Sequence, residues 1–297
     1  MFKKNLVKSP LVTRKGFLVL LLFLAFAPGI AMAAEPVAMV TDVKGAVRLK
    51  LNQQTKPLAV LTYLAPDAEI ELDKGAHVVM TYFSQATEYT FKGPARIAIQ
   101  VDSAKAITGT GELRKLDNEK SATVKKFIQT ARVTQATMAM RSLPTIKPNL
   151  QSPLNSKISS SNPTFRWKAI EDTAKYQLIL TDNLGAVVYD TSVETNSWQI
   201  PGASTLKRGI PYAWKVTAMM KSGENYSSNQ SNFTIAHEDE IKNIEARRPA
   251  ADASFSDRVV YAVYLETEGF YEAALGRWQE LSKERPDDAN LRKRGKQ

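Results

Sequence analysis

Residues 269–281 read GFYEAALGRWQEL, a helical phrase near the end of a chain whose other patterned stretches look like β-strands. Small Ala262 and Ala274 let two helices approach closely, while Tyr264, Leu265, Tyr271, Trp278 and Leu281 fill or flank the seam between them. The spacing predicts a helical hairpin within the terminal segment 237–297. Such a pair leaves an apolar outer face, and a bare patch of roughly several hundred Å² is rare on a soluble monomer. The cover has four candidates: the preceding segment 239–248, the β-domain just upstream, a second copy of the chain, or another protein. Cover by 239–248 with partial partner contact, and dimerisation, both stay open. Tyr264, Phe270, Tyr271 and Trp278 are the expected partner-binding residues here.

With Pro286 at the closing position, Ala262, Leu265, Gly269, Tyr271, Ala274, Trp278 and Leu281 fall where a tetratricopeptide repeat has small, large, Gly, Tyr, small, large and large residues. The segment therefore resembles one unit of that family. No second unit follows the pattern unless 239–248 supplies half of one.

Upstream, 150–236 carries six strand phrases, NPTFRWKAI, KYQLILTD, AVVYDTSV, SWQIP, PYAWKVTA and SNFTIA, separated by turn residues. Within LKRGIPYAWKVTA, Tyr212, Trp214, Val216 and Ala218 alternate inward, and Leu206, Gly209 and Tyr212 mark a corner leading into a strand. This phrase resembles the corner of fibronectin type III-like domains, which implies a β-sandwich whose Tyr212 hydroxyl bonds back to the corner backbone. Trp167 and Trp214 belong in its core, whereas Trp198, near Pro201, is the candidate for stacking on a partner or a carbohydrate.

From 36 to 111 the chain alternates as a meander of short strands, VAMVTDVKGAVRLKL, AEIEL, HVVMTYF and EYTFKGPARIAIQV, with turns at Asp73-Lys74-Gly75 and Lys92-Gly93-Pro94. The order Val-x-x-Gly-x-Val-x-Leu, a corner from Leu64 to Ile70, a strand led by Gly75 and then Phe91-x-Gly93-Pro94 resembles the FecR-like domain of bacterial envelope proteins. Two corners depart from that pattern, reading Asp67-Ala68 and Ser84-Gln85-Ala86. The resemblance implies an envelope protein, with the Gram-negative periplasm favoured. Relatives that regulate sigma factors carry a cytoplasmic domain ahead of a membrane span; the sixteen residues before the apolar run here are too few to fold, which argues against that role.

Segment 112–149 reads as a linker with one basic amphipathic helix over 120–141, stopped by Pro144 and Pro148. Its lysines make a solvated face, with peripheral contact to cell wall or membrane surface as the alternative. At the front, MFKKNLVKSPLVTRKG is basic, FLVLLLFLAFAPGIAMAA is apolar, and Ala31-Met32-Ala33 offers an exit, which predicts a cleaved signal peptide over 1–33. A retained membrane anchor is the alternative. Removing the five basic residues of that segment lowers the formal charge from +10 to +5, and together with export this argues against a nucleic-acid partner. The chain has no cysteine, so neither disulfides nor thiol chemistry are available.

Candidates for chemistry are few. His77 lies in a strand, and His237 precedes Glu238, Asp239 and Glu240, three consecutive acids that cannot all face one ion. Glu69 and Glu71 share a strand face and read as surface charges of an edge strand rather than an acid–base pair. Neither G-x-S-x-G nor H-E-x-x-H occurs. No catalytic residue, metal or cofactor is expected. The sequence thus predicts a mainly β multidomain protein: a small FecR-like β-domain (36–111), a fibronectin/Ig-like β-sandwich (150–236) and a C-terminal α-helical hairpin. Its expected role is an exported, non-catalytic binding or scaffold protein of the cell envelope that contacts other envelope proteins. Two rivals are a sensing or regulatory partner of a membrane protein, and a peptidoglycan- or carbohydrate-binding module.

Overall fold

Short alternating phrases become strands here, and the terminal periodic phrase becomes helices. The computed structural model describes residues 35–51, 54–85, 87–116, 123, 126, 146–202 and 206–296. The expected signal segment, and the expected basic helix apart from Thr123 and Lys126, lie outside the described residues. Among the described residues no helix is long and apolar enough to cross a membrane.

Ten strands build the first β-domain: β1 (Ala38–Lys44), β2 (Val47–Leu51), β3 (Gln54–Pro57), β4 (Tyr63–Leu64), β5 (Glu69–Leu72), β6 (His77–Tyr82), β7 (Thr87–Lys92), β8 (Ala95–Ile99), β9 (Ala104–Thr108) and β10 (Gly111–Lys115). They form two antiparallel sheets, β10-β7-β6-β1-β4 and β3-β2-β5-β8-β9. The Tyr82 hydroxyl reaches the Gln100 and Ser103 carbonyls beside the second sheet at 3.1 and 2.5 Å, so Val78, Met80 and Tyr82 face between the sheets. Val79 and Thr81 point the other way, yet they are only 8% and 0% exposed. Strand β1 is likewise buried from Ala38 through Val43. An antiparallel sheet normally shows water one face; here β1 and β6 are covered on both.

Glu69 and Glu71 are not on an edge strand: β5 runs between β2 and β8. Each pairs with a cation on a neighbouring strand, Glu69 with Arg96 at 3.1 Å and Glu71 with Lys50 at 3.0 Å. Their alternation reflects cross-strand ion pairing on the outer face of an interior strand.

The second β-domain holds β11 (Leu150–Ser152), β12 (Ser156–Ile158), β13 (Thr164–Trp167), β14 (Thr173–Thr181), β15 (Val187–Val193), β16 (Ser197–Gln199), β17 (Pro211–Met220), β18 (Asn225–Ser227) and β19 (Ser231–Ile235). Sheet β11-β13-β16 packs on β12-β19-β17-β14-β15, with β18 added to β17. Trp167 and Trp214 are 0% and 1% exposed in the shared core. The Tyr212 hydroxyl accepts the Lys207 N–H at 2.7 Å, the corner bond of a fibronectin-like sandwich. Gly209 is required there: its φ is +75°, and a Cβ would lie 2.3 Å from the His237 ring.

Four helices follow: α1 (Glu238–Ala246), α2 (Phe255–Thr267), α3 (Tyr271–Glu284) and α4 (Ala289–Arg294). Ser254 caps α2 by accepting the Asp257 N–H at 3.1 Å, and Asp288 caps α4 by accepting the Asn290 and Leu291 N–H groups at 3.0 Å. Helices α2 and α3 pair as the expected hairpin around small Ala262 and Ala274, both 0% exposed. Most of the hairpin's cover is a surface that the sequence does not suggest. It is the first β-domain: β1, β6 and the 58–61 loop share one continuous core with α2, α3 and α4. Segment 239–248 adds a smaller share, the buried Ile244, the partly buried Ile241 and Arg247 over the Tyr264 ring, and the Ile244 carbonyl accepts the Tyr261 hydroxyl at 3.1 Å.

This packing makes a direct test. Ala262→Leu inserts three carbons where α2 has no room, and urea denaturation is expected to show a loss of about 1–3 kcal/mol, with the first β-domain's signal moving to lower urea.

Candidate functional site: the junction of the helices with both β-domains

The helical phrase works as a brace, and its turn supplies the first contact. Gly269 adopts φ +86°, which ends α2 and directs its carbonyl outward to accept the Lys157 N–H of β12 at 2.8 Å. This bond covers part of the outer side of β12, an edge strand of the larger sandwich sheet. Glu272, in the first turn of α3, fixes the neighbouring loop by accepting the Leu154 N–H at 2.6 Å and the Ser152 hydroxyl at 3.0 Å. From α1, Glu240 meets Lys157 at 2.5 Å and accepts the His237 N–H at 2.8 Å, while Glu238 pairs with Arg208 at 2.8 Å. Glu238 and Glu240 are therefore drawn to separate partners. Among the described residues no group of three potential ligands is placed to hold a metal.

A second set of polar contacts fixes the hairpin on the first β-domain. The Ser256 hydroxyl donates to Glu88 at 2.5 Å and lies 2.8 Å from Thr41 Oγ1, all three residues being buried. Arg114 on β10 bridges Glu88 (2.9 Å) and Asp257 (3.1 Å). Asp42, on the bulge of β1, takes Arg285 at 3.2 Å and His77 at 2.9 Å, and the Arg285 guanidinium stacks 4.2 Å from the Phe255 ring centre. Arg258 binds Glu284 through both nitrogens. At the far end, Asp288 accepts the Val60 N–H and Asn290 donates to the Val60 carbonyl, each at 2.7 Å. Thus α4 satisfies both backbone groups of one loop residue.

These pairings displace titrations in opposite directions. The Lys157 hydrogen bond holds Glu240 below the ordinary glutamate range, and the Arg258 hydrogen bond does the same for Glu284. Burial pushes Glu266 upward, against the pull of Arg294 at 2.8 Å. Burial also raises Tyr63, nearby, to about 12. Glu240 thus ties α1 to β12, Glu284 ties α3 to α2, and Glu266 ties α2 to α4.

Beside the seam to the sandwich lies a cleft of about 510 Å³, walled by β12, β13 and the loop between them on one side and by α1, α2 and α3 on the other. Phe270, Leu265, Ile244 and Tyr261 are sunk at its base, and Ala273, Gly276 and Arg277 of α3 face Thr164 and Arg166 of β13 across it.

The residues expected from sequence to bind a partner separate accordingly. Tyr264, Phe270 and Trp278 are 7%, 2% and 1% exposed within the chain's own core, so they offer no surface in this arrangement. Their large apolar side chains are taken up by internal packing and, for Trp278, by donation of the indole N–H to Glu266 at 2.7 Å. Tyr271 stands 51% exposed. Trp198 is opposite Phe165 in register and leans on it and on Tyr189, with ring centres 5.6 and 5.4 Å apart, on the inner side of edge strand β16. It closes the sandwich rather than presenting a free ring. Sequence reasoning passed over Glu272 and Glu88, which join the hairpin to the two β-domains.

No protein-family model matches the chain, and no curated protein matches it. Among solved structures it is similar to CopC from Methylosinus trichosporium OB3b, at 16% identity over 30% of this chain and 93% of that one, with a TM-score of 0.24. It is also similar to the fn3 domain of human collagen alpha-1(XX) chain, at 12% identity over 40% and 96% of the two chains, with a TM-score of 0.25. The FN1-FN3 domains of chicken CNTN1 match at 11% identity over 68% and 55%, again with a TM-score of 0.25. At these scores the likenesses carry no argument, and the sandwich stands on its own strand order and tyrosine corner.

Two outcomes follow from the charges. Because the pKa of Glu240 is lower folded than unfolded, its contribution is present above the ordinary value of 4.5 and is lost as pH falls through the folded value. The stability gap between the wild type and Glu240→Gln should therefore be largest near neutrality and shrink towards about pH 3, as read by urea titrations across that range. At Glu266, Ala leaves the Trp278 indole N–H without its acceptor, whereas Gln keeps one. Thermal melts should place Glu266→Ala about 1–3 kcal/mol below the wild type and Glu266→Gln clearly above the Ala variant.

Proposed function

We propose that the chain is an exported, non-catalytic binding and scaffold protein of the bacterial cell envelope, built on a FecR-like β-domain, a fibronectin-like sandwich and a tetratricopeptide-like hairpin. The observation that carries this reading is the double attachment of the hairpin. One pair of helices shares a core with the first β-domain and gives backbone and carboxylate contacts to the sandwich. Such a join holds two binding modules in a fixed relation, which is what a scaffold requires. The shifted carboxylates of the helices, Glu240, Glu266 and Glu284, each pair with a cation on another element, Lys157, Arg294 and Arg258, so they serve to join elements. Surfaces left for partners are the outer edge of β15, the β14–β15 turn with Leu184 at 86% exposure, the half-exposed Tyr271 and the cleft. An unguarded strand edge and a helix-lined groove are ordinary modes of protein–protein recognition.

The test places a photocrosslinking amino acid at Leu184, at Tyr271 and at Val187 in producing cells. A discrete adduct with an envelope protein from at least one position, in material released with the periplasmic fraction, is the expected result. Release with the cytosol, or turnover of a substrate by the purified chain, would contradict the reading.

A further inference from the structure

We infer that the outer edge of β15 takes up an extended segment of another protein as an added strand, one in which apolar residues alternate with Lys or Arg. The assignment rests on the reading of the chain as a binding protein and says what one of its surfaces binds.

The edge itself is the first argument. Among the described residues every other sheet edge is short, covered, or guarded by Lys, Arg or Pro. Strands β4, β11, β16 and β18 run for two or three residues, and β12 is bonded by the Gly269 carbonyl. Strand β3 holds Lys56 and Pro57, β9 holds Lys105 and shifts register against β8, and β10 holds Arg114 and Lys115. Strand β15 is the longest edge, with seven residues and neither Lys, Arg nor Pro. Its pairing with β14 shifts only at its start, and Tyr189 to Val193 run in regular register opposite Leu180 to Tyr176. Such an edge leaves backbone N–H and C=O groups at alternate residues for an added strand. Leu184 and Val187, 86% and 61% exposed, mark its start on a turn that the Asp182 carboxylate fixes by accepting the Leu184 and Ala186 N–H groups, each at 2.9 Å.

Charge and pleat then define the occupant. Residues 182–199 hold Asp182, Asp190 and Glu194 and no Lys or Arg, in a chain whose formal charge is +10. Asp182 is engaged inside the turn, while Asp190 is exposed on the outer face and accepts only a neutral donor, the Gln177 side-chain N–H at 2.8 Å. Lys215 shares that face, but Ile179 of β14 stands between it and Asp190 in register, and Lys175 also lies on β14. With strands about 4.8 Å apart, an added strand sits ~5 Å from β15, ~10 Å from β14 and ~14 Å from β17, so the acids of β15 govern its pairing. On the inner side, the half-buried Tyr189 and Trp198 rings meet at 5.4 Å across the edges of the two sheets and offer an apolar seat. Successive side chains of a strand point to opposite faces, so the segment that fits alternates apolar residues inward with Lys or Arg outward. A second copy of the chain would set acids against acids, which disfavours self-pairing.

The experiment titrates two pools of acetylated, amidated heptapeptides into the isotope-labelled full chain and follows amide shifts. Val, Ile or Leu alternates with Lys or Arg in one pool and with Asp or Glu in the other. The expected result is saturable shifts from Tyr189 to Val193 with the basic pool, and binding of the acidic pool weaker by about fivefold or more. Asp190→Lys should reverse the preference. Ser192→Lys, which puts a guarding lysine on the same exposed face, should weaken basic-pool binding while leaving the melting temperature close to that of the wild type. Equal binding of both pools, binding of neither, shifts confined to other surfaces, or an unchanged preference in Asp190→Lys would each overturn the assignment. So would a dimer in sedimentation that Ser192→Lys dissociates. A partner captured through Tyr271 alongside a silent β15 would remove this assignment and leave the scaffold reading standing, whereas binding at β15 by a chain released with the cytosol would contradict the envelope reading and leave the edge assignment standing.

Discussion

Burial of α2 against β1 is the constraint on which the rest of the structure depends. Nine of the thirteen residues of α2 are buried, so the helix has almost no solvent side. Val259, Val263 and Leu265 are 0–2% exposed, and each such side chain is worth about 1.5–3 kcal/mol when removed from water. The same contact shelters the second face of the sheet that holds β1 and β6, where Thr41, Val79 and Thr81 would otherwise meet solvent. Each partner covers apolar surface that the other would expose. A segment beginning more than 200 residues after β1 in the chain thereby completes the first β-domain.

Polar groups give that contact its register. Glu88 is buried, and it is compensated by Ser256 and Arg114 rather than left alone. Removing one member of such a set leaves a desolvated charge behind, which costs more than the pair contributes. Asp42 and Arg285 act similarly at the other end of the hairpin, and Asp288 with Asn290 satisfies Val60. These bonds fix where α2, α3 and α4 lie on the sheet. The Gly269 carbonyl and Glu272 then fix where the sandwich lies on the helices. The cleft between β13 and α3 exists because that second attachment is made at one end of α3 only.

Much of this was legible beforehand because local pattern and tertiary role agree. Tyr212, Gly209 and Trp214 announce the sandwich, since the corner needs a positive φ, a hydroxyl and an inward ring at fixed spacing. Ala262, Ala274 and Gly269 announce the hairpin for similar reasons. The identity of the hairpin's cover was not legible from helical periodicity, which reports that a face is apolar but not what meets it. A signal did exist in Val37, Ala38, Met39 and Val40, an unbroken apolar run where an antiparallel strand with one wet face would alternate. Glu69 and Glu71 misled because alternating charge looks the same on an edge strand and on an interior strand with cross-strand partners. Tyr264 and Trp278 misled because large aromatics serve internal seams and interfaces alike.

The account stands on the helices completing the first β-domain, and hydrogen exchange measures this most directly. Exchange of the backbone amides of β1 and β6 should be compared between the full chain and a chain ending at Ala236. The account predicts that β1 and β6 lose most of their protection in the shorter chain while β14 and β17 of the sandwich keep theirs. Unchanged protection of β1 and β6 without the helices would contradict it.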